Sequence, residues 1–297
     1  ESRELLSDTV VPENAMLRIG FIDHHLNNFH ANKFLSLLHG PLADQDARVM
    51  LAWESDPTGE DWCAKNGIRR AESAEAVAKE CDAVMVLAPD NIDVHLKLCR
   101  QVFPAGKPTL VDKFLATNVR EAREIVDLAK KHGNRIFSAS SLRFAVELRD
   151  AMKEVSGPAV DVFARGMGTW DGYGVHTLSL ALGALGADVK RLIDTGKGDT
   201  AAVTLEYADG RRAWVDVRSA QNMWEALPWS FGIRSGEKYV TRTVKDYDGF
   251  YANLMREAVS FFKTGKSPVS TEEMLTVVGI LEGAAKSRAA GGTWITL

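Results

Sequence analysis

The sequence predicts an α/β chain in two parts, a parallel sheet with helices on both faces followed by an α+β unit on an open, mainly antiparallel sheet. Three observations carry this. Short apolar runs alternate with helix-period segments from Leu17 to Ser138, as strands joined by crossover helices do. Beyond Ser140 strand-like segments follow one another directly, and Ala208-Asp209-Gly210 between two of them is a hairpin-turn signal. A chain of 297 residues is long enough for two cores, here assigned to residues 16–139 and 140–297.

In the first part, Leu17 to Phe21 begins a strand, and Phe29, Phe34, Leu37 and Leu38 lie near one stripe of the helix that follows. Between them runs the polar turn Asp23-His24-His25-Leu26-Asn27-Asn28. A strand, a turn and a helix open a dinucleotide-binding domain, whose turn ordinarily carries glycines so that the main chain can approach a pyrophosphate. Ala47 to Trp53 is the second strand, and Glu54 at its end either receives ribose hydroxyls or is a capping or solvated acid. Ser73 opens a short helix with Val77, Ala78 and Cys81 inside. Asp82 to Ala88 reads as a strand covered on both faces, ended by Pro89-Asp90-Asn91 before a helix through His95, Leu98 and Val102. Pro108 to Val111 is the next strand, and Asp112-Lys113-Phe114 leaves it at the end where open α/β sheets bind ligands. That position singles out Lys113. Asn118 and Glu121 form a capping box for a helix through Ala122, Ile125, Leu128 and Ala129, and Asn134 to Ser138 is the last strand of this part.

In the second part a helix through Phe144, Val146, Leu148 and Met152 ends near Gly157, and Ala159 to Ala164 is a strand. The glycine-rich run from Gly166 to Gly174 resembles a phosphate loop, but Asp171 stands where a third glycine is required, so it reads as a closely approached loop entering a helix. His176, near the start of the apolar run Leu178 to Leu185, either faces a cleft or is a hydrogen-bonded core histidine. Strands are expected at Val189–Asp194, Ala201–Tyr207, Arg212–Val217 and Gly236–Val244. The segment from Gln221 to Ser230 borders a pocket or buries Trp224 and Trp229. A helix through Phe250, Leu254, Ala258, Phe261 and Phe262 follows, and Ser270 with Glu273 caps a last helix through Met274, Val277, Val278, Leu281 and Ala285.

Composition narrows the class. With 45% apolar and 26% charged residues and a net charge of -4, the chain reads as an ordinary globular protein without a basic surface for nucleic acid or anionic lipid. No apolar run approaches the ~20 residues of a membrane span. The first fifteen residues do not resemble a signal peptide, and Met16 is a candidate start. Cys63, Cys81 and Cys99 lack metal-ligand spacing, so reduced thiols in a cytoplasmic protein are expected, and no metal is assigned.

Five segments in order resemble the Gfo/Idh/MocA family, that of glucose-fructose oxidoreductase and inositol dehydrogenase: CDAVMVLAPDNIDVH, PTLVDKFLATNVREAREIVDLA, Arg143-Phe144, Gly174-Val175-His176 and TGKSPVSTEEMLTVVGILEGAAKSRAAGG. The resemblance covers most of the chain from Leu17 onward. It implies a Rossmann domain and NAD or NADP as cofactor, with oxidation of a secondary alcohol on a sugar, cyclitol or related polyol, or the reverse reduction. It further implies Lys113 and His176 at the reacting hydroxyl, and substrate contacts from Lys113, Arg143, Trp170, Asp171, Tyr173 and His176. Cofactor contacts fall on Gly20, Ile22, Asp23, His25, Leu26, Glu54, Ala88, Pro89, Asn91, His95, Asp112 and Lys113. These residue types suit the chemistry, because alcohol oxidation needs a proton acceptor while hydride leaves, and a nearby ammonium favours alkoxide character.

The chain departs from the family pattern in three places. Asp23 and His25 stand at turn glycines, Phe114 replaces a proline and leaves a trans bond expected before it, and Gly172 and Ser179 replace acids around His176. Two alternatives therefore stand beside the oxidoreductase: a non-catalytic sugar- or nucleotide-binding relative, and a metal-dependent hydrolase or lyase using Asp23, His24, His25 and His30. For the three histidines taken singly, packing at the helix start or solvation is the plainer reading, with His30 buried beside Phe29 and Phe34. A symmetric dimer or tetramer is the expected assembly.

Overall fold

The structure is a computed structural model that describes residues 16–219 and 226–297. Trp224, proposed to border a pocket, lies outside the described residues. Among the described residues six parallel strands form the first sheet: β1 (Leu17–Asp23), β2 (Ala47–Glu54), β3 (Arg69–Arg70), β4 (Ala83–Val86), β5 (Thr109–Val111) and β6 (Ile136–Phe137). Their order is β3-β2-β1-β4-β5-β6. The winding reverses between β1 and β4, which opens a crevice beyond their carboxyl ends.

The connecting helices are α1 (Phe29–His39), α2 (Trp62–Asn66), α3 (Ala74–Glu80), α4 (His95–Val102) and α5 (Val119–His132). Local chemistry sets their ends. Asn28 accepts from the Ala31 amide, Ser73 from Ala76 and Asn118 from Glu121, each satisfying a first-turn donor. Gly133 closes α5 at φ 70°, a left-handed conformation that favours glycine. One member of the predicted α1 stripe departs from the core: Phe29, the first residue of α1, is 61% exposed and its ring meets Tyr251.

The second sheet runs β12-β11-β7-β10-β9-β8-β13, with β7 at Asp161–Met167, β8 at Val189–Asp194, β9 at Thr200–Tyr207, β10 at Arg212–Arg218, β11 at Ser230–Ser235, β12 at Lys238–Thr243 and β13 at Ile295–Thr296. Every pair is antiparallel except β7 with β10. The expected hairpin joins β9 to β10 through Gly210 at φ 90°. β9 alternates as a half-covered strand should, burying Ala201, Val203, Leu205 and Tyr207. On the covered face lie α6 (Val146–Val155) and α7 (Trp170–Leu185). Phe144, expected inside α6, belongs instead to a 3-10 turn at Ser141–Phe144, because Ala145 is extended and interrupts the helix.

The last helices, α8 (Tyr247–Thr264) and α9 (Thr271–Ala289), bind the two sheets together. Leu254, Met255, Ala258, Phe261 and Met274 pack into the core of the first sheet, while Phe250, Ile280, Leu281 and Ala284 pack into that of the second. The crevice of the first sheet is thereby roofed by residues from near the other end of the chain. Among the described residues no helix is long and apolar enough to cross a membrane.

Candidate active site between the two sheets

A cavity of about 690 Å³ lies where the two sheets meet. It is lined from the first sheet by Phe29, His30 and Lys33 of α1, by Pro89, Asp90 and Ile92 after β4, and by Lys113 and Phe114 after β5. The second part contributes Asp171, Gly172, Tyr173 and His176 from the start of α7, Trp229, and Tyr247, Asp248, Phe250 and Tyr251 from the start of α8. Seven aromatic side chains share the walls with three aspartates, two lysines and two histidines.

Lys113 and His176 both reach this cavity, from segments 63 residues apart in sequence. The Lys113 ammonium is largely buried and donates to the Pro89 carbonyl at 3.1 Å. Beside it, the Asp112 carboxylate receives the Lys113 amide at 2.7 Å and lies 2.5 Å from His30 Nδ1. Burial pushes the Asp112 carboxyl up, but His30 and Lys113 outweigh it and hold the group below the usual carboxylate range. His176 is neutral at pH 7: burial, aided by Lys113 and then His30, holds its imidazole well below the usual value. Its Nδ1 lies 2.8 Å from Ser140 Oγ, leaving Nε2 as the nitrogen available to the cavity. A hydroxyl both donates and accepts, so Ser140 suits either neutral tautomer, with Nε2 a proton acceptor in one and a donor in the other. The bond between Lys113 and Phe114, expected trans, is cis, and the Phe114 ring packs against the second core.

The turn after β1 is held by carboxylates of the chain itself. Asp23 is 1% exposed and points inward, accepting the amides of His24 at 2.7 Å, His25 at 3.2 Å and Ala88 at 3.0 Å, and the Asn28 side chain at 2.8 Å. Burial pushes its carboxyl up to about 7, against the pull of Asn28 and the His24 and His25 amides. Glu54 does not face the crevice as a free ribose acceptor: it is buried, accepts the Leu26 amide at 2.7 Å and pairs with Arg70 at 2.9 Å. Main-chain donors that a glycine turn would offer to phosphate are thus already engaged.

Residues 20–140 match a family model described as the oxidoreductase family with an NAD-binding Rossmann fold, GFO_IDH_MocA. Over this part the chain is similar to the Gfo/Idh/MocA family. An uncharacterized oxidoreductase of Escherichia coli K12, YdgJ, is 25% identical over 152 residues, a match spanning 41% of this chain and 42% of that protein. GenD2 of gentamicin A biosynthesis, crystallised with NAD, superposes at a TM-score of 0.79 with 17% identity, over 95% of this chain and 97% of the other. The myo-inositol 2-dehydrogenase of Lactobacillus plantarum superposes at 0.76 with 15% identity, over 95% and 99%. At these identities the superpositions establish a shared fold across both sheets.

A nicotinamide dinucleotide, the cofactor of the Gfo/Idh/MocA family, fits this crevice at two points. The cavity presents aromatic faces beside Lys113 and His176, and the first turn of α1, whose amides at Phe29 and His30 have no intrahelical acceptor, opens onto it. Asp23, the group that would repel a pyrophosphate, is turned away beneath the turn.

Of the residues that the resemblance singles out, Pro89, Lys113, Asp171, Tyr173 and His176 line the cavity. Others lie apart from it. Gly20 faces α3, where an added Cβ would meet Val77 Cγ1 at 2.2 Å, and Ile22 is a buried strand residue. His95 is fully buried, its ring nitrogens taken up by the Leu87 and Leu115 carbonyls. Arg143 turns toward Glu273 of α9 at 2.9 Å, and Trp170 is buried with Nε1 donating to the Leu281 carbonyl. Ala88 is left-handed at φ 54° with its amide on Asp23, Leu26 is buried with its amide on Glu54, and Asn91 begins a short 3-10 turn before α4. The four residues of the metal-hydrolase alternative do not converge, since Asp23 faces the Ala88 amide and His30 faces Asp112. The cavity residues that sequence reasoning missed are chiefly Tyr247, Asp248 and Tyr251, which read as the opening of an ordinary amphipathic helix.

Proposed function

We propose that this protein is an NAD(P)-dependent oxidoreductase that oxidises a secondary alcohol of a sugar, cyclitol or related polyol, or reduces the corresponding ketone. The observation that carries the reading is the convergence of Lys113 and His176 on one aromatic-walled cavity under the start of α1. The bound nicotinamide would accept hydride from the alcohol carbon. His176 Nε2, in the tautomer with its proton on Nδ1, takes the hydroxyl proton as the hydride leaves, and Ser140 holds the ring through Nδ1. Lys113, anchored on Pro89, directs its ammonium to the same oxygen and stabilises alkoxide character. Asp112 fixes the segment bearing Lys113, and Trp229 and Tyr251 shield the reacting groups from water. The cofactor's phosphates would lie at the start of α1 near His25 and Leu26. Residues 16–139 and 140–297 then serve as cofactor and substrate domains of a cytoplasmic dimer or tetramer.

Calorimetric titration with NAD(H) and NADP(H), followed by turnover on a polyol panel, tests this. One cofactor should bind, and Lys113→Ala and His176→Ala should each lose about 100-fold or more in kcat while remaining folded and binding it. Absence of binding by both cofactors refutes the proposal. The carboxylate-engaged turn favours one second reading, a non-catalytic sugar- or nucleotide-binding relative. Ligand binding without turnover on any polyol would select it.

A further inference from the structure

The carboxyl ends of β1 and β2 carry a second set of ligand-type side chains outside the cavity. His24 and His25 lie in the turn after β1, and Asp56 follows β2. Two main-chain bonds hold these segments side by side, from the Ser55 amide to the Asp23 carbonyl and from the Asp56 amide to the His24 carbonyl, each 3.0 Å. The imidazole rings approach with centroids 4.1 Å apart.

Each ring is oriented through Nδ1. His25 Nδ1 lies 2.6 Å from the Asp56 carbonyl, and His24 Nδ1 lies 2.7 Å from Ser55 Oγ. A carbonyl only accepts, so His25 carries a proton on Nδ1, and in the neutral ring Nε2 is a bare lone pair. That nitrogen lies 3.8 Å from Asp56 Oδ2, and His24 Nε2 lies 4.0 Å from the same oxygen. One ligand atom from each of the three residues falls within a 4.8 Å set. The His25 lone pair faces a carboxylate, and with its far nitrogen held by an acceptor His25 has the arrangement that metal-binding histidines adopt; Ser55 Oγ can accept from His24 Nδ1 and so allow His24 the same tautomer.

We infer that His24, His25 and Asp56 bind one divalent first-row ion of the zinc class, with solvent completing a tetrahedron. Two imidazole nitrogens and one carboxylate select Zn²⁺, Co²⁺ or Ni²⁺ over the oxygen-seeking Mg²⁺ and Ca²⁺. With ligand bonds near 2.0–2.1 Å, tetrahedral ligand atoms stand about 3.4 Å apart. The two separations to Asp56 Oδ2, 4.0 and 3.8 Å, close to that value by a movement within reach of the Asp56 side chain, which is 58% exposed, and the remaining adjustment falls to the two imidazole rings. The site joins the exits of β1 and β2 and shares no residue with the cavity lining, and it borders the place near His25 proposed for the cofactor's phosphates; zinc binding to the protein without cofactor tests it separately from the oxidoreductase chemistry.

Chelator-treated full-length protein should be titrated with ZnCl2 by calorimetry and with CoCl2 by visible absorption. One equivalent of zinc should bind, and cobalt should develop the intense absorption of a tetrahedral site. His24→Gln, His25→Gln and Asp56→Asn should each weaken zinc binding tenfold or more. Asp56→Asn alters an exposed side chain and tests the site without endangering the fold. Zinc should also raise the melting temperature of the parent protein and not of the variants. Failure to bind an equivalent, or binding that all three variants retain, overturns the assignment.

Discussion

Gly20 offers the sharpest test of what the first strand is built for. The family resemblance makes it a cofactor glycine, whereas in the structure it is a packing glycine against α3. A Cβ at this position would stand 2.2 Å from Val77 Cγ1 and 3.1 Å from Cys81 Sγ. Carbon atoms in good contact sit about 3.5–4.0 Å apart, so the overlap with Val77 is roughly 1.5 Å. Val77 cannot swing aside freely, because a β-branched side chain in a helix has one strongly preferred rotamer. Gly20→Ala should therefore cost about 1–3 kcal/mol, the usual range for overpacking a core, and lower the melting temperature by about 2–4 °C per kcal/mol. Val77→Ala removes the clashing carbon. In the double variant much of the Gly20→Ala cost should disappear, giving a coupling of about 1–3 kcal/mol in a double-mutant cycle read by urea unfolding and circular dichroism. Affinity for NAD(P)H should be unchanged in the folded variant. A Gly20→Ala protein of parental stability, or a loss that Val77→Ala does not relieve, would refute the packing argument. Loss of cofactor binding at parental stability would restore the glycine to the cofactor.

The remaining predictions concern pH and capping. Burial, then Lys113, holds His176 well below its ordinary 6.5, so in acid the unfolded chain takes up a proton that the folded chain refuses. Stability contributed by His176 is present above pH 6.5 and is lost as pH falls below it. His176→Gln should flatten the decline in urea midpoint between about pH 7 and 5, with His39 and His95, also held low, carrying the remainder; an unchanged slope counts against the assignment. Asn118→Ala should cost about 1 kcal/mol through loss of the Glu121 amide's acceptor, and Asn118→Asp should recover most of it. Equal midpoints for the two variants would show that the cap contributes nothing.

Much of the fold was legible because its signals are local. Asn28, Ser73, Asn118 and Ser270 each cap a helix three residues on, and Ala208-Asp209-Gly210 turns one strand back on the next. Lys113 and His176 stood out from their places at a strand exit and a helix start, and both line the cavity. Trp170 and Arg143, neighbours of the same motifs, do not, since direction around a helix or 3-10 turn is set by what packs against it: Leu281 receives one side chain and Glu273 the other. Nothing local marks His30 as the partner of Asp112, 82 residues away, or Tyr251 as a wall of the cavity.

The sequence by itself determined the alternation of strands and helices, the change to antiparallel pairing after residue 140, and the presence of an acidic, histidine-rich turn where glycines would be expected. Periodicity, caps and turn chemistry act over a few residues, so they are written in the chain directly. Only the tertiary structure decided what that turn does: Asp23 folds beneath it onto the Ala88 amide, Glu54 reaches over to Leu26, and His24 and His25 meet Asp56. Each of these contacts joins the end of one parallel strand to another, and the crossover between such strands leaves their partners tens of residues apart in sequence.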